Sequence, residues 1–470
     1  VGDIPAIYGD GIFNDENSAS NNYTSDHEVH HTTRTHVGDL KLDWDMGWAD
    51  LISQTTFIHY NLGFVDDLDF SPDNTVNFLR DERYDQISQE LRLQSQGAGP
   101  IEYAAGVFFL GSRWHSLENQ EWAVPNFPPP PDPTSGQLFN GPFLNNFYES
   151  QRDYSAYASG GWHITPKLKL SGGIRYSYDQ KNDLFGRTAE APFTIWNTIA
   201  NPPFDPTPLH HDAHFVDGSA SLVYAFTRSI NGYLSYGHGS KAGGFIETNS
   251  IAVPPQLLVN GKVPAALVAA NASLKDEFSD SYEVGIKSSL FDRRLRLNIA
   301  LFKTDITNFQ DTVFTGGSLG FITFNDPATS KGVDSDVAWD IGHGLSMDGG
   351  ATYADATAVI QPIDPLTGAL EFDQNGNPIY KRYQRSQAPR WVSNLGINYH
   401  LSLPRGLELH GRAEVRHRSG MFNQRQEEYY SPPPDDAEHQ RRDRQRALER
   451  GPNREERDQR HLAGLRQRPP

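Results

Sequence analysis

Apolar and polar residues alternate along much of this chain, and a period of two leaves few folds open. From Leu168 one face reads Leu168, Leu170, Gly172, Ile174, Tyr176 and Tyr178, while the other reads Lys167, Lys169, Ser171, Gly173, Arg175 and Ser177. Leu295, Leu297, Ile299 and Leu301 oppose Arg294, Arg296 and Asn298. Val333, Val337, Trp339 and Ile341 oppose Asp334, Asp336 and Asp340, and Leu345, Met347, Ala351 and Tyr353 oppose Ser346, Asp348 and Thr352. Leu407, Leu409, Ala413 and Val415 oppose Glu408, His410, Arg412, Glu414 and Arg416. Successive side chains of a strand point to opposite faces, so each run is a strand with one apolar and one polar side. A helix would space its apolar residues by three and four.

Alternation alone also suits a soluble sandwich. Strand length and loop order separate the two. The expected strands run about ten to fifteen residues, against roughly five or six in ordinary sheets, and a tilted membrane strand needs about nine to eleven. Tight turns fall near Gly47, Gly97–Pro100, Thr165–Pro166, Thr227–Ser229, Phe291–Arg293, Gly342–Gly344 and Pro404–Gly406. Between them lie long polar segments, near 63–83, 117–151, 179–213, 239–279, 310–331 and 356–388. A short-long alternation of connections is what an up-and-down barrel produces. The reading is an all-β chain: a partial transmembrane antiparallel β-barrel with about fourteen strands between Arg34 and Arg418. Trp44, Trp48, Trp114, Trp162, Trp339 and Trp391 are expected in interfacial girdles.

Composition agrees. The mean hydropathy is −0.60, and the sequence has no run of about 18 apolar residues, so a helical span is excluded. A barrel escapes that test, because only alternate residues meet lipid. The absence of Cys excludes thiol catalysis, disulfides and Cys-based zinc sites. The net charge of −18 argues against nucleic acid as a partner. No Walker A, dinucleotide, G-x-S-x-G or H-E-x-x-H motif occurs, so no enzyme activity and no cofactor are expected.

Several ordered segments carry a family resemblance. Ser88-Gln89-Glu90-Leu91-Arg92-Leu93-Gln94-Ser95 precedes Glu102-Tyr103-Ala104-Ala105-Gly106-Val107-Phe108-Phe109. Then come Tyr233 through Lys241-Ala242-Gly243-Gly244-Phe245, Leu274-Lys275-Asp276-Glu277, Ser281 through Lys287, Ser330-Lys331-Gly332-Val333-Asp334 and Ala388-Pro389-Arg390-Trp391. Over residues 85 to 420 the chain resembles the barrel part of TonB-dependent receptors of the Gram-negative outer membrane. The resemblance implies a barrel of twenty-two strands, a plug domain inside it and energised uptake of a siderophore, vitamin or oligosaccharide. The implied partners are outer-membrane lipid, the plug and, through the plug, the TonB complex.

Neither a plug nor a TonB-binding segment is found here, so a fragment of such a receptor is expected, with residues 1–33 as an outer-loop segment and 34–430 as the barrel. Residues 431–470, rich in Arg and Pro, read as text out of frame, with a disordered tail as the alternative. A passive porin and a soluble glycan-binding domain are the alternatives.

The inner wall is expected to present Glu90, Arg92, Arg175, Glu283, Lys287, Arg294, Arg296, Arg412 and Glu414 to a lumen or a plug. Trp122, Phe127, Phe139, Phe143 and Phe147, with Lys241 and Phe245, are the expected ligand-binding loop residues, since aromatics offer stacking faces. His27, His30, His31, His210, His211 and His214 are spaced as metal ligands can be, but they sit in polar loops or at loop–strand junctions without a carboxylate set to orient them, and exposed loop histidines are the expectation. Asp66, Asp67, Asp69 and Asp73 form an acidic loop without EF-hand spacing.

Overall fold

Exposed apolar side chains on one face of nearly every long strand need a dry environment outside the protein, and that requirement organises the fold. The computed structural model describes residues 29–67, 76–97, 99–122, 143–189, 202–247, 255–314, 321–362, 371–422 and 430–431. Fourteen strands follow one another in chain order through a single antiparallel sheet. They are β1 (His30–Asp45), β2 (Ala49–Asp67), β3 (Val76–Ser95), β4 (Ile101–Trp122), β5 (Phe143–Thr165), β6 (Leu168–Ala189), β7 (Phe204–Ala225) and β8 (Ile230–Lys241). After the short β9 (Gly244–Phe245), helix α1 (Ala265–Ala272) and β10 (Ser273–Leu274), the wall resumes with β11 (Glu277–Leu290), β12 (Leu295–Phe314), β13 (Phe321–Gly342) and β14 (Leu345–Ile360). The four-residue β15 (Lys381–Gln384) pairs with β14 off this path, and β16 (Trp391–Leu403) and β17 (Leu407–Arg418) complete it. Among the described residues β1 and β17 are the edges, each with one paired neighbour.

The two faces are as the alternation requires. Leu234, Val284, Ile286, Ile299 and Leu301 are each about half exposed on the outer face. Their chain neighbours Ser235, Glu283 and Lys287 point inward with Tyr233. Such surfaces cannot remain in water as a continuous band, and lipid is the environment that accepts them. Trp44, Trp48, Trp162 and Trp339 stand exposed near the tight-turn ends of their strands, and Trp391 near the opposite end. Trp114 departs from the girdle expectation. It lies on the inner face, its ring 5.3 Å from Phe147, because β4 places its even-numbered residues inside.

The tight turns lie where the alternation breaks, but the strands are longer than expected. β5 has 23 residues, and β4, β6, β7 and β13 have 22 each. β5 and β6 stay paired from Thr165↔Leu168 up to Phe143↔Ala189. On β6 the outer apolar stripe ends at Tyr178, yet the strand continues through Gln180 and Asn182 to Ala189. Beyond the apolar band both faces can be polar, so the alternation fades while the backbone ladder goes on. The segments read as long loops are therefore partly wall.

A charge on the outer face should be expensive and one on the inner face should not. Leu234→Arg should lower unfolding stability in lipid vesicles by about 2–4 kcal/mol. Ser235→Arg, directly opposite Glu283, should change it by less than about 1 kcal/mol. Denaturant titration of vesicle-refolded protein measures both.

Candidate functional site

The segment between β8 and β11 folds back against the inner face of the long-loop end instead of standing clear of it. Its base is tied at Lys241-Ala242-Gly243-Gly244-Phe245. β9 pairs with β10, matching Gly244 with Leu274 and Phe245 with Ser273. A Cβ on Gly243 would collide with the Leu274 carbonyl oxygen, and Gly244 has φ +155°. Both positions therefore need glycine.

Asp276 holds the knot together. Its Oδ1 accepts from the Gly243 amide at 2.8 Å and meets His211 Nε2 at 2.7 Å. Lys181 Nζ donates to the Gly243 carbonyl at 2.9 Å. Glu277 Oε2 accepts from the Gln310 amide at 2.8 Å, and the Gln310 side chain donates to the Ala242 carbonyl at 3.2 Å. Two segments about thirty residues apart, each quoted for the family resemblance, thus form one structural clasp.

Above the clasp lies an apolar cluster. α1 begins after Pro264, is rich in Ala, and has no polar side chain on its buried face, which suits a short docked helix. Its Val268 and Ala272, with Val263, are buried on Phe147, Phe185, Phe204 and Leu209. Phe147 to Phe185 is 5.6 Å and Phe185 to Phe204 is 4.9 Å between ring centres, both edge-on.

Beside the rings runs a buried polar chain. Arg187 Nε donates to Asn145 Oδ1 at 2.7 Å, Asn145 Nδ2 donates to Glu118 Oε1 at 3.3 Å, and Arg80 donates to Glu118 Oε2 at 2.6 Å. Asn145 also donates to the backbone carbonyl of Glu247, which draws the folded-back segment into the chain. Glu247 is buried against Arg80 at 3.8 Å, and burial pushes its carboxyl up to about 7. Asp183 lies on β6 beyond the apolar band, opposite Glu149. Burial first, and then Glu149, push Asp183 up to about 8. Both of its carboxylate oxygens are buried without a hydrogen-bond partner among the described residues.

This arrangement changes the place of the expected ligand-loop residues. Phe147 is fully buried within β5, so it offers no free stacking face. Phe245 packs against the same cluster, and Lys241 is the last residue of β8, opposite Glu277. Trp122 and Phe143 belong to β4 and β5, while Phe127 and Phe139 lie outside the described residues.

The inner-wall residues expected from sequence are paired along the wall. Glu90 accepts from Tyr157 and lies 3.5 Å from Arg92. Arg175 donates to Ser155 at 2.6 Å and Ser177 at 3.1 Å. Glu283 accepts from Tyr233, whose ring centre is 5.1 Å from Lys287 Nζ. Arg294 lies 3.8 Å from Asp340 and Arg296 3.7 Å from Asp336. Arg412 donates to Asp348 at 2.8 Å and 3.1 Å, and lies 3.1 Å from Glu414.

The histidines differ from expectation in their surroundings. His31 meets Asp66 at 2.8 Å, His210 meets Asp212 at 2.9 Å, and His211 meets Asp276. His214 bonds the Tyr176 hydroxyl at 2.9 Å. These carboxylates arrive from the adjacent strand for His31 and from beyond the clasp for His211. None of these histidines converges with two further ligand-type groups among the described residues. His27 lies outside the described residues, as do Asp69 and Asp73.

Comparison with known proteins decides the family. The family model described as "TonB dependent receptor-like, beta-barrel" matches residues 2–442. The chain belongs to the TonB-dependent receptor β-barrel family. The pesticin receptor of Yersinia enterocolitica is 23% identical over 303 residues, covering 64% of this chain and 37% of that protein. The pesticin receptor of Yersinia pestis is 22% identical over the same shares. Among solved structures, the ferric yersiniabactin uptake receptor of Yersinia pestis superposes with a TM-score of 0.62 at 18% identity, covering 86% of this chain and 53% of that one. A siderophore receptor from Acinetobacter baumannii superposes with a TM-score of 0.59 at 15% identity, covering 86% and 57%. The chain thus spans little more than a third of the length of its curated relatives. The family consists of receptors, not enzymes, and the clasp and folded-back segment lie on its barrel wall.

Two outcomes follow from this geometry. Asp276→Ala removes an acceptor shared by Gly243 and His211, and should loosen the segment by about 1–3 kcal/mol. Hydrogen exchange of residues 255–274 should rise accordingly while that of β5 and β6 stays unchanged. The raised Glu247 carboxyl also sets a pH dependence. Docked, Glu247 binds its proton more tightly than when the segment is free, so its contribution to docking is fully present below about pH 4. That advantage is lost as pH rises through about 7. Exchange protection, corrected for intrinsic rates, should be lower at pH 8.5 than at pH 5.5, and Glu247→Gln should flatten the difference.

Proposed function

We propose that this chain is the wall and outer binding surface of an outer-membrane receptor that takes up a siderophore-type iron chelate under TonB control. The observation that supports it best is a wall apolar outside and polar inside, with a segment docked over its inner face at one rim. Relatives described as receptors for pesticin, ferric yersiniabactin and siderophores favour this ligand class over a vitamin or an oligosaccharide. On this reading the tight-turn rim faces the periplasm and the clasped rim faces outward.

The wall strands described above begin at His30, four residues before the boundary at 34 expected from sequence, and the strand path ends at Arg418. The inner charges at Glu90, Arg92, Arg175, Glu283, Lys287, Arg294, Arg296, Arg412 and Glu414 line the path that a plug domain fills. Most of these already have an opposite charge on the wall, and Glu283 and Lys287 both lean on Tyr233, so a plug would meet a largely paired polar surface instead of isolated charges. Such a surface lets a plug slide or unfold at low cost, because no single ion pair has to break. Phe245 and the clasp anchor the segment that a ligand would displace or rest against.

Iron-55 uptake by cells producing this protein tests the proposal. Cells carrying it should accumulate a ferric siderophore, and a protonophore should stop accumulation. Uptake that continues unchanged after collapse of the proton motive force would support a passive channel and end the TonB reading.

A further inference from the structure

A cross-strand pair of histidines closes the tight-turn end of the β16–β17 hairpin. His400 and His410 lie directly opposite in register, and Ser402 opposes Glu408. All three ionisable groups point to the inner face, away from the outer stripe of Leu401, Leu407 and Leu409. The imidazole rings stack at 4.6 Å with an interplanar angle of 14°. Glu408 Oε2 lies 3.3 Å from His410 Nε2 and 3.7 Å from His400 Nε2. Nowhere else among the described residues do three such donor atoms come within 4.8 Å of one another.

We propose that His400, Glu408 and His410 bind one divalent transition-metal ion of the zinc, copper or nickel class. Zinc holds imidazole nitrogen at about 2.0–2.1 Å and carboxylate oxygen at about 2.0–2.2 Å. Two donors of one tetrahedral ion at those lengths sit about 3.4 Å apart. The two separations to Glu408 bracket that value, and the donor atoms all lie within 4.8 Å of one another, so an ion would draw the two stacked rings together at their nitrogen edges.

Hydrogen bonding alone explains less. The His410 contact is within hydrogen-bond range, but 3.7 Å is too long for one, and yet His400 aims at the same oxygen. Several other histidines of the wall each meet one carboxylate at 2.7–2.9 Å, as His59 does with Asp85 and His238 with Asp280, while His163 meets Glu102 at 3.2 Å. Two imidazoles and one carboxylate make a nitrogen-oxygen set, which selects borderline ions over soft ones and over calcium or magnesium.

The hairpin also holds the donors in place. A 3-10 turn at Pro404–Gly406, with Arg405 at φ 66°, joins the two strands just beyond Glu408. The three side chains are exposed, leaving the remaining coordination positions to water. A bound ion would tie β17 to β16 through side chains in addition to the backbone ladder. The inference does not depend on the uptake reading.

The chain refolded in detergent micelles tests it, with zinc and copper(II) themselves as probes. Calorimetry should find one zinc ion per chain in the micromolar range. Copper(II) should give an electron paramagnetic resonance spectrum with coupling to two nitrogens. His400→Gln or His410→Gln should each weaken binding at least tenfold, and Glu408→Gln about threefold or more, with heat-modifiable gel mobility confirming that each variant folds. The unaltered chain gives a second readout: zinc should protect His400 and His410 from diethyl pyrocarbonate, as read by mass spectrometry. Absence of micromolar binding, an unchanged equivalent in the double histidine variant, or undiminished labelling of both residues would overturn the proposal.

Discussion

Backbone hydrogen bonding between consecutive strands is the interaction on which the rest of this structure depends. Inside a hydrocarbon layer no water is present to satisfy an amide or a carbonyl, so each must find a neighbour along the sheet. The ladder runs without interruption from β1 to β17, with only local register shifts such as those near Asn308 and Gly342. Every other feature is an adjustment made on this frame. Lipid selects the outer row of side chains, the interior accepts the polar row, and the long connections are free to carry special structure.

The clasp at Gly243 and Asp276 shows how a long connection is controlled. A segment of thirty-odd residues would have high conformational entropy if its ends alone were fixed. Pairing its two bases through β9 and β10, and locking them with Asp276, Lys181 and His211, shortens the free loop. α1 then needs only a modest apolar contact with Phe147, Phe185 and Phe204 to stay docked. The buried chain from Arg187 through Asn145 and Glu118 to Arg80 adds direction, because hydrogen bonds are lost on a small misplacement where apolar contacts are not.

How much was legible from the sequence varied with position along each strand. The faces of β6, β11, β12, β13 and β17 could be read directly, since contact with lipid imposes a period of two. The tight turns were equally plain at Gly47, Pro404 and Gly406, where chain reversal demands particular residues. Strand length was not legible past Tyr178, because the constraint that writes the alternation ends at the apolar band. Phe147 read as a loop aromatic for the same reason. The partners of Arg187 and Glu118 were beyond reach, being 42 and 38 residues away along the chain. Neither could the stacking of His400 on His410 be read without knowing the register of their hairpin.

The upward continuation of the strands has a consequence for how the molecule meets its surroundings. Ala189 is eleven residues beyond Tyr178 on β6. At about 3.3 Å per residue and a tilt of about 40°, that places it roughly 27 Å higher. The protein therefore builds a collar nearly as tall as the hydrocarbon layer below it. Anything entering the interior from that rim passes along this collar before it comes level with any acyl chain. The polar upper part and the lipid-facing lower part are separate storeys of the same strands, so the upper storey can change its chemistry without disturbing the fit of the lower one to lipid.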